Sequence, residues 1–470
     1  MKVFLVYLVM NSPLNDEYNY GLGYISSVLK KNNYNVYYIA LRNGKDIIKL
    51  YAKISLEHPE IIGFSATTSQ ISYLKDIAKQ IKHISNTFII CGGIHPTLKP
   101  ECILDFPDLD AIVRGEGEFP MLDLANAFKN KEDYREIDNF WFRKDGEIIK
   151  NNLRPLIKNL DDLPFPDKSS LNYQRVIDND IGMNRFIFSR GCPFDCPYCS
   201  NRALANLYKA SGSYVRLLSP QKAIEKIELD AIKYKFNSIF FDDDIISFNK
   251  KWFYEFFDLY KRHFKYPFGC NIRPGIIDLD MVKLLKEAGV TAVNIGVEHG
   301  NENFRKTVLK RAMSNKQIID TFKLFDEYNI SCRAQLMVGL PFENKNMFLD
   351  TVALCRKLPL ISRFISIFYP YPGTELGRLC EEKKWMPREK YYFEREQALI
   401  DYPNFTKEEI QMCHDIFPFL IDHKCIPLSI PLEWTMGLFQ FYKLINSTRI
   451  GRRLFAIVQL FLDRITGWTR

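Results

Sequence analysis

Short apolar runs alternate with amphipathic segments along the first 130 residues of the chain. The runs are rich in β-branched and aromatic residues, which predicts strands, and segments such as Leu22–Lys31 and Ile71–Ile84 have the 3.6-residue period of helices. The expected strands are Lys2–Val9, Asn35–Ala40, Glu60–Ser65, Phe88–Cys91 and Ala111–Val113. This alternation predicts a parallel sheet with helices on its faces over residues 1–130.

Small residues follow three of these strands. They are Ser65, Thr67, Gly92, Gly93, Gly115 and Gly117, with Glu116 between the last two. Each alone fits an ordinary strand-to-helix turn, where glycine is common. Three such ends on one edge of a parallel sheet favour a shared ligand site, because ligands bind at the carboxyl ends of parallel strands.

Residues 131–180 interrupt the alternation. Prolines in Leu160–Asp167 remove backbone donors and disfavour helix, so this stretch is expected to be a linker. A small hairpin around Trp141–Ile149 is expected within it, since Asp145–Gly146 suits a tight turn.

A second alternation begins near Asn184. The expected strands are Arg185–Ser189, Ser238–Phe241, Phe268–Ile272, Ala292–Val297, Ala334–Val338 and Phe364–Phe368. The expected helices are Pro220–Lys235, Lys250–His263, Asp278–Ala288, Asn315–Tyr328 and Asn344–Arg356. Six strand–helix units are too few for a closed eight-fold barrel, so a partial barrel is expected over residues 181–380, followed by a helical region over 381–470.

The overall composition is that of a folded globular protein, with 47% hydrophobic and 26% charged residues. The 64 basic and 56 acidic residues leave a net charge of +8, and no dense basic run suggests nucleic-acid binding. No apolar run reaches the ~18 residues that span a bilayer. The first ten residues read as a strand rather than a signal peptide. We therefore expect a cytoplasmic protein whose eleven cysteines are thiols or metal ligands.

The stretch GCPFDCPYCS carries the most specific chemistry. Cys192, Cys196 and Cys199 are spaced CxxxCxxC, and three thiolates on one loop can hold three corners of an iron–sulfur cube. A zinc site would need a fourth ligand, and no other His or Cys lies within 60 residues. A glutaredoxin-like dithiol at Cys196 and Cys199 would leave Cys192 without a role. Three unrelated buried thiols would be a coincidence at this spacing.

With this motif the chain resembles the radical SAM superfamily. The resemblance implies a 4Fe-4S cluster on Cys192, Cys196 and Cys199, with S-adenosylmethionine bound at the iron that lacks a protein ligand. Reductive cleavage of that cofactor would give a 5′-deoxyadenosyl radical, which abstracts hydrogen from a substrate. Tyr198 matches the aromatic position that usually precedes the last cysteine of the motif.

The resemblance continues at the following strand ends. It implies contacts to S-adenosylmethionine from Tyr198, Asp242, Asp243, Arg273, Glu298 and Gly339. Adjacent residues of a strand face opposite ways, so only one of Asp242 and Asp243 can face the barrel interior. The alternatives are a helix cap for Asp244 and a surface ion pair for Arg273.

The first 130 residues resemble the cobalamin-binding domain that is fused to one large radical SAM class, through SPLNDEYNYGLGYISSVLKKNNYNV, GFSATT, GGIHPTLKPE and DAIVRGEGE. That domain is a flavodoxin-like (Rossmann-type) sheet. The resemblance implies that the corrin or its nucleotide tail is lined by Ser65, Thr67, Gly92, Gly93, Gly115, Glu116 and Gly117.

The chain differs in one respect from many cobalamin-binding domains, which carry a DxHxxG loop after the first strand. The chain has no His between Met1 and Glu57, so that loop cannot place an imidazole on cobalt. His95, in GGIHP, is the alternative candidate ligand, and we expect it instead to pack or to hydrogen-bond at its turn. The domain therefore either binds cobalamin without a protein imidazole or has lost the cofactor.

The resemblance implies a cobalamin-dependent radical SAM enzyme, a class B C-methyltransferase that methylates an unactivated centre of a small molecule, lipid or natural-product precursor. The alternatives are cyclisation or rearrangement, with a first domain that is vestigial or binds substrate, and a non-catalytic iron–sulfur sensor. A flavodoxin or ferredoxin would supply electrons. The apolar run Leu454–Leu462 and six basic residues between Lys443 and Arg470 suggest either packing on the barrel or peripheral contact with a membrane.

Overall fold

The structure is a computed structural model that describes residues 1–10, 18–209, 212–360, 362–386 and 395–446. Within these ranges two largely parallel sheets follow one another along the chain. The first has strand order β2-β1-β3-β4-β5-β6-β7 and the second has strand order β15-β14-β13-β12-β11-β8, with a separate two-stranded ribbon of β9 and β10. The predicted α/β class, with a Rossmann-type sheet before a six-stranded partial barrel, is confirmed.

The first sheet contains β1 (Lys2–Leu8), β2 (Asn35–Leu41), β3 (Ile61–Ser65), β4 (Phe88–Gly92), β5 (Ala111–Val113), β6 (Phe140–Lys144) and β7 (Glu147–Lys150). Its helices are α1 (Tyr20–Lys31), α2 (Gly44–Glu57), α3 (Ile71–Ile84), α4 (Ile94–Leu98) and α5 (Glu118–Asn130). Strands β1 to β5 are parallel. Helices cover both faces of the sheet, so its central strands are buried throughout.

The hairpin predicted near Trp141 forms, but it is not free linker. Its strand β6 pairs antiparallel with β5, and β7 pairs with β6, so the first sheet extends to Lys150. Asp145 and Gly146 both have positive φ in the turn. The domain boundaries at residues 130, 180 and 380 stay predictions.

The barrel sheet contains β8 (Met183–Phe186), β11 (Ser238–Phe241), β12 (Phe268–Ile272), β13 (Val290–Glu298), β14 (Ser331–Val338) and β15 (Ser362–Ile367). The ribbon strands β9 (Ser189–Arg190) and β10 (Arg216–Leu217) lie beside its first strand. The helices from the linker to the C-terminal region are α6 (Tyr173–Asn179), α7 (Ser200–Leu207), α8 (Pro220–Lys233), α9 (Lys250–His263), α10 (Leu279–Ala288), α11 (Glu302–Thr307), α12 (Asn315–Glu327), α13 (Lys345–Cys355), α14 (Glu375–Glu382), α15 (Lys407–Asp422) and α16 (Leu432–Asn446).

Polar caps separate each barrel strand from its helix. Ser219 accepts from the Lys222 amide at the start of α8, where Pro220 occupies the first turn. Asp278 caps α10 in the same way, and Ser314 and Gln317 form a capping box on α12. These caps start each helix at a defined residue. Because the barrel strands are parallel, their carboxyl ends lie together on one edge of the sheet.

Two lysines are buried where α1, the linker and α8 meet. Lys168 forms an ion pair with Asp230 at 2.5 Å, and Lys226 donates to the Ile187 carbonyl at 2.9 Å. The Lys226 ammonium also lies over the ring of Tyr20, 5.2 Å from its centroid. Burial lowers the pKa of both lysines to about 8. The Asp230 carboxylate acts in the opposite direction but does not outweigh burial.

We expect Lys226→Met to stabilise the protein at pH 7. The folded pKa of about 8 lies below the ordinary 10.5, so the unfolded chain binds more protons between these values and stability rises with pH across that window. The gain at pH 7 should be about 1–3 kcal/mol, because the buried ammonium no longer has to be desolvated while the lost hydrogen bond to the Ile187 carbonyl offsets part of that gain. Thermal melting at pH 7 and pH 9.5 measures it.

The exposed Lys233 on the same helix offers a matched control, Lys233→Met, which should leave the pH dependence unchanged. A Lys226→Met protein that melts lower than wild type at pH 7 and keeps the wild-type pH dependence would contradict the expectation.

Candidate active site

The three cysteines of the CxxxCxxC motif lie on one loop at the carboxyl edge of the barrel, between β9 and α7. The Cys199 amide donates to the Cys196 carbonyl at 3.1 Å, and the helix α7 starts directly after Cys199. Gly191 turns the chain into this loop with φ 87°, and a Cβ there would lie 2.7 Å from the ring of Tyr214.

The donor set fits a cluster better than a single metal ion. Among the described residues no three His, Cys, Asp or Glu side chains converge on one point as a mononuclear zinc site requires. In a 4Fe-4S cluster each thiolate binds a different iron, so the three thiolates need not meet at one point. Three cysteines spread along one loop therefore suit such a cluster.

Two arginines face the middle cysteine of the motif. The Arg273 and Arg311 guanidinium groups lie 3.7 and 3.6 Å from the Cys196 sulfur. Arg273 also stacks on Phe194, with its guanidinium carbon 3.8 Å from the ring centroid. Both arginines are buried, so their charge favours an anionic group on this side of the loop. The surface ion pair considered for Arg273 is not what the structure shows.

Glu298 ends β13 and lies beside Arg311. Its carboxylate lies 3.7 Å from Arg311, and its φ of 69° is unusual for a residue with a side chain. The register of β13 against β14 shifts between Gly296 and Glu298, which turns the side chain. Such strain is typical of functional sites.

Arg311 is the site residue that the sequence did not reveal. It lies in a loop rather than at a strand end, where no local pattern identifies it. Burial alone would lower the pKa of Arg311, but Tyr198, Glu298 and Cys196 outweigh burial and raise it. Its Nη1 lies 3.5 Å from the Tyr198 hydroxyl, whereas its buried Nε has no hydrogen-bond partner among the described residues. A polar ligand beside Glu298 would meet this group.

The loop that carries Arg311 is held by a fully buried arginine. Arg305 donates to the carbonyls of His299 at 2.6 Å and Met313 at 3.1 Å. The Arg311 amide in turn donates to the Arg305 carbonyl at 2.8 Å. His299 lies 3.0 Å from Glu343 with neither side chain exposed, which joins the ends of β13 and β14.

The two aspartates after β11 face opposite ways, as alternation predicts. Asp243 is buried and accepts from the Phe188 amide at 3.0 Å and from the Ser189 hydroxyl. Asp242 forms an ion pair with Arg185 at 2.9 Å instead. Asp243 therefore fixes the segment that leads into the cysteine loop. Burial raises its pKa, and its second oxygen has no partner among the described residues.

Gly339 follows β14 with φ 78°, and a Cβ there would come within 2.7 Å of Ile410. Its carbonyl accepts from the Tyr402 hydroxyl at 3.0 Å. Residues of the helical C-terminal region therefore contact the barrel loop in which the sequence places a cofactor contact.

A cavity of about 480 Å³ lies between the strand ends of the first sheet and the barrel. Its size and mostly apolar lining are typical of cofactor sites. The predicted residues that line it are Ser65, Thr67, Gly92, Gly93, Gly115, Glu116 and Gly117. The barrel contributes Ile187 to Gly191 and Tyr208. The buried hydroxyl of Tyr208 lies against Gly115, where a Cβ would come within 1.8 Å of it, so only glycine leaves room for this ring in the wall.

Glu116 lines this cavity, but its carboxylate is already engaged. It accepts from Arg190 at 2.7 Å, from Arg216 at 2.9 Å and from the Ile157 amide at 2.8 Å. Burial would lower the pKa of Arg190, but Glu118 and Glu116 outweigh it and raise the pKa. These long-range partners are invisible in the sequence.

His95 hydrogen-bonds at its turn, as expected. Its Nδ1 lies 3.2 Å from the Thr68 hydroxyl, and burial lowers its pKa to about 4. The ring lines a smaller cavity of about 160 Å³ rather than the large one.

Known proteins share both halves of this arrangement. The radical SAM superfamily matches residues 186–355, and the B12 binding domain matches residues 7–125. An uncharacterized methyltransferase of Pyrococcus horikoshii is 27% identical over 76% of this chain and 77% of its own. An anaerobic magnesium-protoporphyrin IX monomethyl ester cyclase of Cereibacter sphaeroides is 26% identical over 79% of this chain and 62% of its own.

The fold of a solved structure is similar as well. The radical S-adenosylmethionine methyltransferase TsrM of Kitasatospora setae, with cobalamin and a [4Fe-4S] cluster bound, superposes with a TM-score of 0.64 at 15% identity. The match covers 81% of this chain and 75% of TsrM.

The chain belongs to the radical SAM superfamily, in the class that carries a cobalamin-binding domain. It is therefore an enzyme whose cofactors are a 4Fe-4S cluster, S-adenosylmethionine and cobalamin. The thiol loop, the unpartnered Arg311 nitrogen and the glycine-lined cavity suit these three groups. Assignment of individual residues to each cofactor stays a prediction.

Replacing Cys192, Cys196 and Cys199 together by alanine should abolish iron binding and the cleavage of S-adenosylmethionine, because no other thiols share their loop. Iron and sulfide content after anaerobic reconstitution, and release of 5′-deoxyadenosine, measure both effects. The triple alanine variant of Cys332, Cys355 and Cys425 is the matched control. Stoichiometric iron and sulfide in the first variant would refute the assignment.

Bound cob(II)alamin should have no protein nitrogen on cobalt, because His95 is engaged and the N-terminal loop contains no histidine. Paramagnetic resonance of protein labelled with ¹⁵N and loaded with unlabelled cobalamin tests this. The spectrum should match that of unlabelled protein. A change in the nitrogen splitting upon labelling would show protein ligation.

Proposed function

We propose that this radical SAM enzyme transfers a methyl group to an unactivated carbon of a small, largely apolar molecule. The observation that carries the proposal is the shared wall of the large cavity. Ser189, Arg190 and Gly191 line the cavity and lead directly to Cys192. One reaction space can therefore contact both the thiol loop and the strand ends that suit cobalamin.

The residues around this space have distinct tasks. Arg273 and Arg311 would neutralise negative charge beside Cys196, and Glu298 would accept hydrogen bonds from a cationic amino group. Apolar walls from both sheets would exclude water and protect reactive species. When bound, the cluster supplies an electron, S-adenosylmethionine supplies the hydrogen-abstracting fragment, and cobalamin supplies the methyl group.

An aromatic group near the barrel mouth supports an apolar substrate. The rings of Phe342 and Trp385 are 6.1 Å apart, and those of Trp385 and Tyr402 are 5.1 Å apart. Phe342 is 54% exposed and has φ 70°, a strained conformation for a bulky residue. We propose that these rings contact the substrate, because exposed strained aromatics mark binding sites.

Cyclisation is the second candidate, since the cyclase of Cereibacter sphaeroides is nearly as similar in sequence as the methyltransferase. The two reactions differ in their use of the methyl group. Cyclisation incorporates no methyl carbon from S-adenosylmethionine into product.

The test uses S-adenosylmethionine labelled in its methyl group, the reconstituted enzyme, a reductant and an extract of small molecules and lipids from the source cells. We expect label in an extracted compound only when cobalamin and the three motif cysteines are present. Formation of 5′-deoxyadenosine that depends on the extract, without transfer of label, would contradict methylation and favour cyclisation.

The C-terminal region supports contact with a membrane surface. Among the described residues no helix is both long and apolar enough to cross a bilayer. Helix α16, however, exposes Trp434, Leu438, Phe441 and Leu444 on one side. Between Lys443 and Arg470 the sequence contains six basic residues and one acidic residue, Asp463, which gives this segment a net charge of +5. The run Leu454–Leu462 lies outside the described residues. We propose that the exposed apolar side chains of α16 insert into the interface of a membrane that contains anionic lipid.

Full-length protein should co-sediment with anionic liposomes at low salt and detach at high salt. The double variant Trp434→Ser with Phe441→Ser should bind several-fold more weakly, because each ring buries apolar area in the interface. The double variant Phe342→Ser with Phe364→Ser removes exposed rings elsewhere and is the control. Equal binding of all three proteins would contradict a role for α16.

The cytoplasmic location and a flavodoxin or ferredoxin as electron donor stay predictions.

A further inference from the structure

Four charged side chains form a neutral network across the junction of the two sheets. Glu116 lies in the turn after β5 of the first sheet and Glu118 is the first residue of α5, whereas Arg190 and Arg216 belong to the ribbon β9–β10 of the barrel. Arg190 contacts Glu116 through Nη1 at 2.7 Å and Glu118 through Nη2 at 2.6 Å. Arg216 contacts Glu116 at 2.9 Å.

The network connects the two places where cofactors are expected. On one side, Glu116 lies between Gly115 and Gly117 on the wall of the large cavity. On the other side, Arg190 is separated from Cys192 by Gly191 alone. A shift of the Arg190 backbone would therefore move the cysteine loop relative to the cavity.

We propose that Arg190 is a positioning residue, which with Glu116, Glu118 and Arg216 fixes the distance and orientation between the cobalamin cavity and the cluster loop. The inference concerns the spacing of cofactors only and does not depend on whether the reaction is methylation or cyclisation.

The geometry of the contacts suits positioning. A guanidinium is rigid and planar, so two of its nitrogens that bind two different carboxylates define both a distance and an angle. Glu118 is 3% exposed, which shields the pair from water and salt. Arg190 and Arg216 are also opposite each other in the β9–β10 ladder, so one carboxylate fixes both strands.

Other contacts hold α1 of the first sheet against β8 and the linker when this network is changed. The Tyr20 hydroxyl donates to the Arg185 carbonyl, and Lys30 forms an ion pair with Asp167 at 2.8 Å. Asp167 also accepts from the Ser26 hydroxyl at 2.7 Å. We therefore expect conservative variants of the network to fold and to bind both cofactors.

The experiment compares Arg190→Lys and Glu118→Gln with wild type, each as the full chain with cluster and cobalamin loaded. Lysine keeps the charge but cannot bind both carboxylates with fixed geometry, and glutamine keeps the size of Glu118 but removes its charge. Arg363→Lys is the matched control, because Arg363 forms an ion pair with Asp422 at the far edge of the barrel sheet.

The readout is the microwave saturation of the cob(II)alamin resonance before and after reduction of the cluster. A nearby paramagnetic cluster speeds the relaxation of that signal, and the effect falls steeply with distance. In wild type and in Arg363→Lys, reduction should raise the power needed for saturation. In Arg190→Lys most of this increase should be lost, and in Glu118→Gln part of it, with unchanged iron and cobalamin content.

The saturation data also separate positioning from general stability. A role in folding alone would lower cofactor content, while the fraction that stays loaded would relax as wild type does; that result overturns the proposal. Wild-type relaxation in fully loaded Arg190→Lys overturns it as well. Failure of methyl transfer in the labelling experiment would leave these measurements unaffected.

Discussion

Buried charge around the carboxyl edges of the two sheets constrains the rest of the structure. A charged group taken out of water is costly unless an opposite charge lies beside it. In this protein the opposite charge repeatedly comes from another element: Glu298 of β13 meets Arg311 of a loop, and Glu118 of the first sheet meets Arg190 of the barrel. Each pair therefore fixes two elements relative to each other at the edge where cofactors bind.

The same requirement explains the scaffold behind the site. Arg305 is fully buried, and its nitrogens reach the His299 and Met313 carbonyls and the Asn315 side chain. These contacts shape the loop that presents Arg311. The loop has no regular secondary structure of its own, so its conformation depends on the arginine that fills its interior.

The strands and cysteine motif could be predicted because their signals are local. Ser238–Phe241 and Phe268–Ile272 match the predicted strands residue for residue, since buried parallel strands are mostly apolar segments between turn residues. The motif cysteines are close in sequence and so are necessarily close in space.

The parts that escaped prediction depend on distant partners. Glu116 lines the large cavity, but Arg190 and Arg216, which bind its carboxylate, lie 74 and 100 residues away and have no local signal in the sequence. Arg311 reaches Cys196 across 115 residues. The hairpin β6–β7 was assigned to a linker because nothing in its sequence shows that β5 leaves an open edge for it.

An open barrel leaves its last strand as an edge, and the C-terminal region packs against that edge. Helix α15 covers the edge strand β15, so that the exposed backbone is shielded. The same C-terminal region places Ile410 against Gly339 and directs the Tyr402 hydroxyl to the Gly339 carbonyl. Tyr402 also packs on Trp385, which in turn contacts Phe342. A change in the covering helix would therefore be felt both at the loop after β14 and at the aromatic group proposed to meet the substrate. The covering region and the aromatic group thus form one packed unit, whereas the thiol loop and its arginines are held by separate contacts.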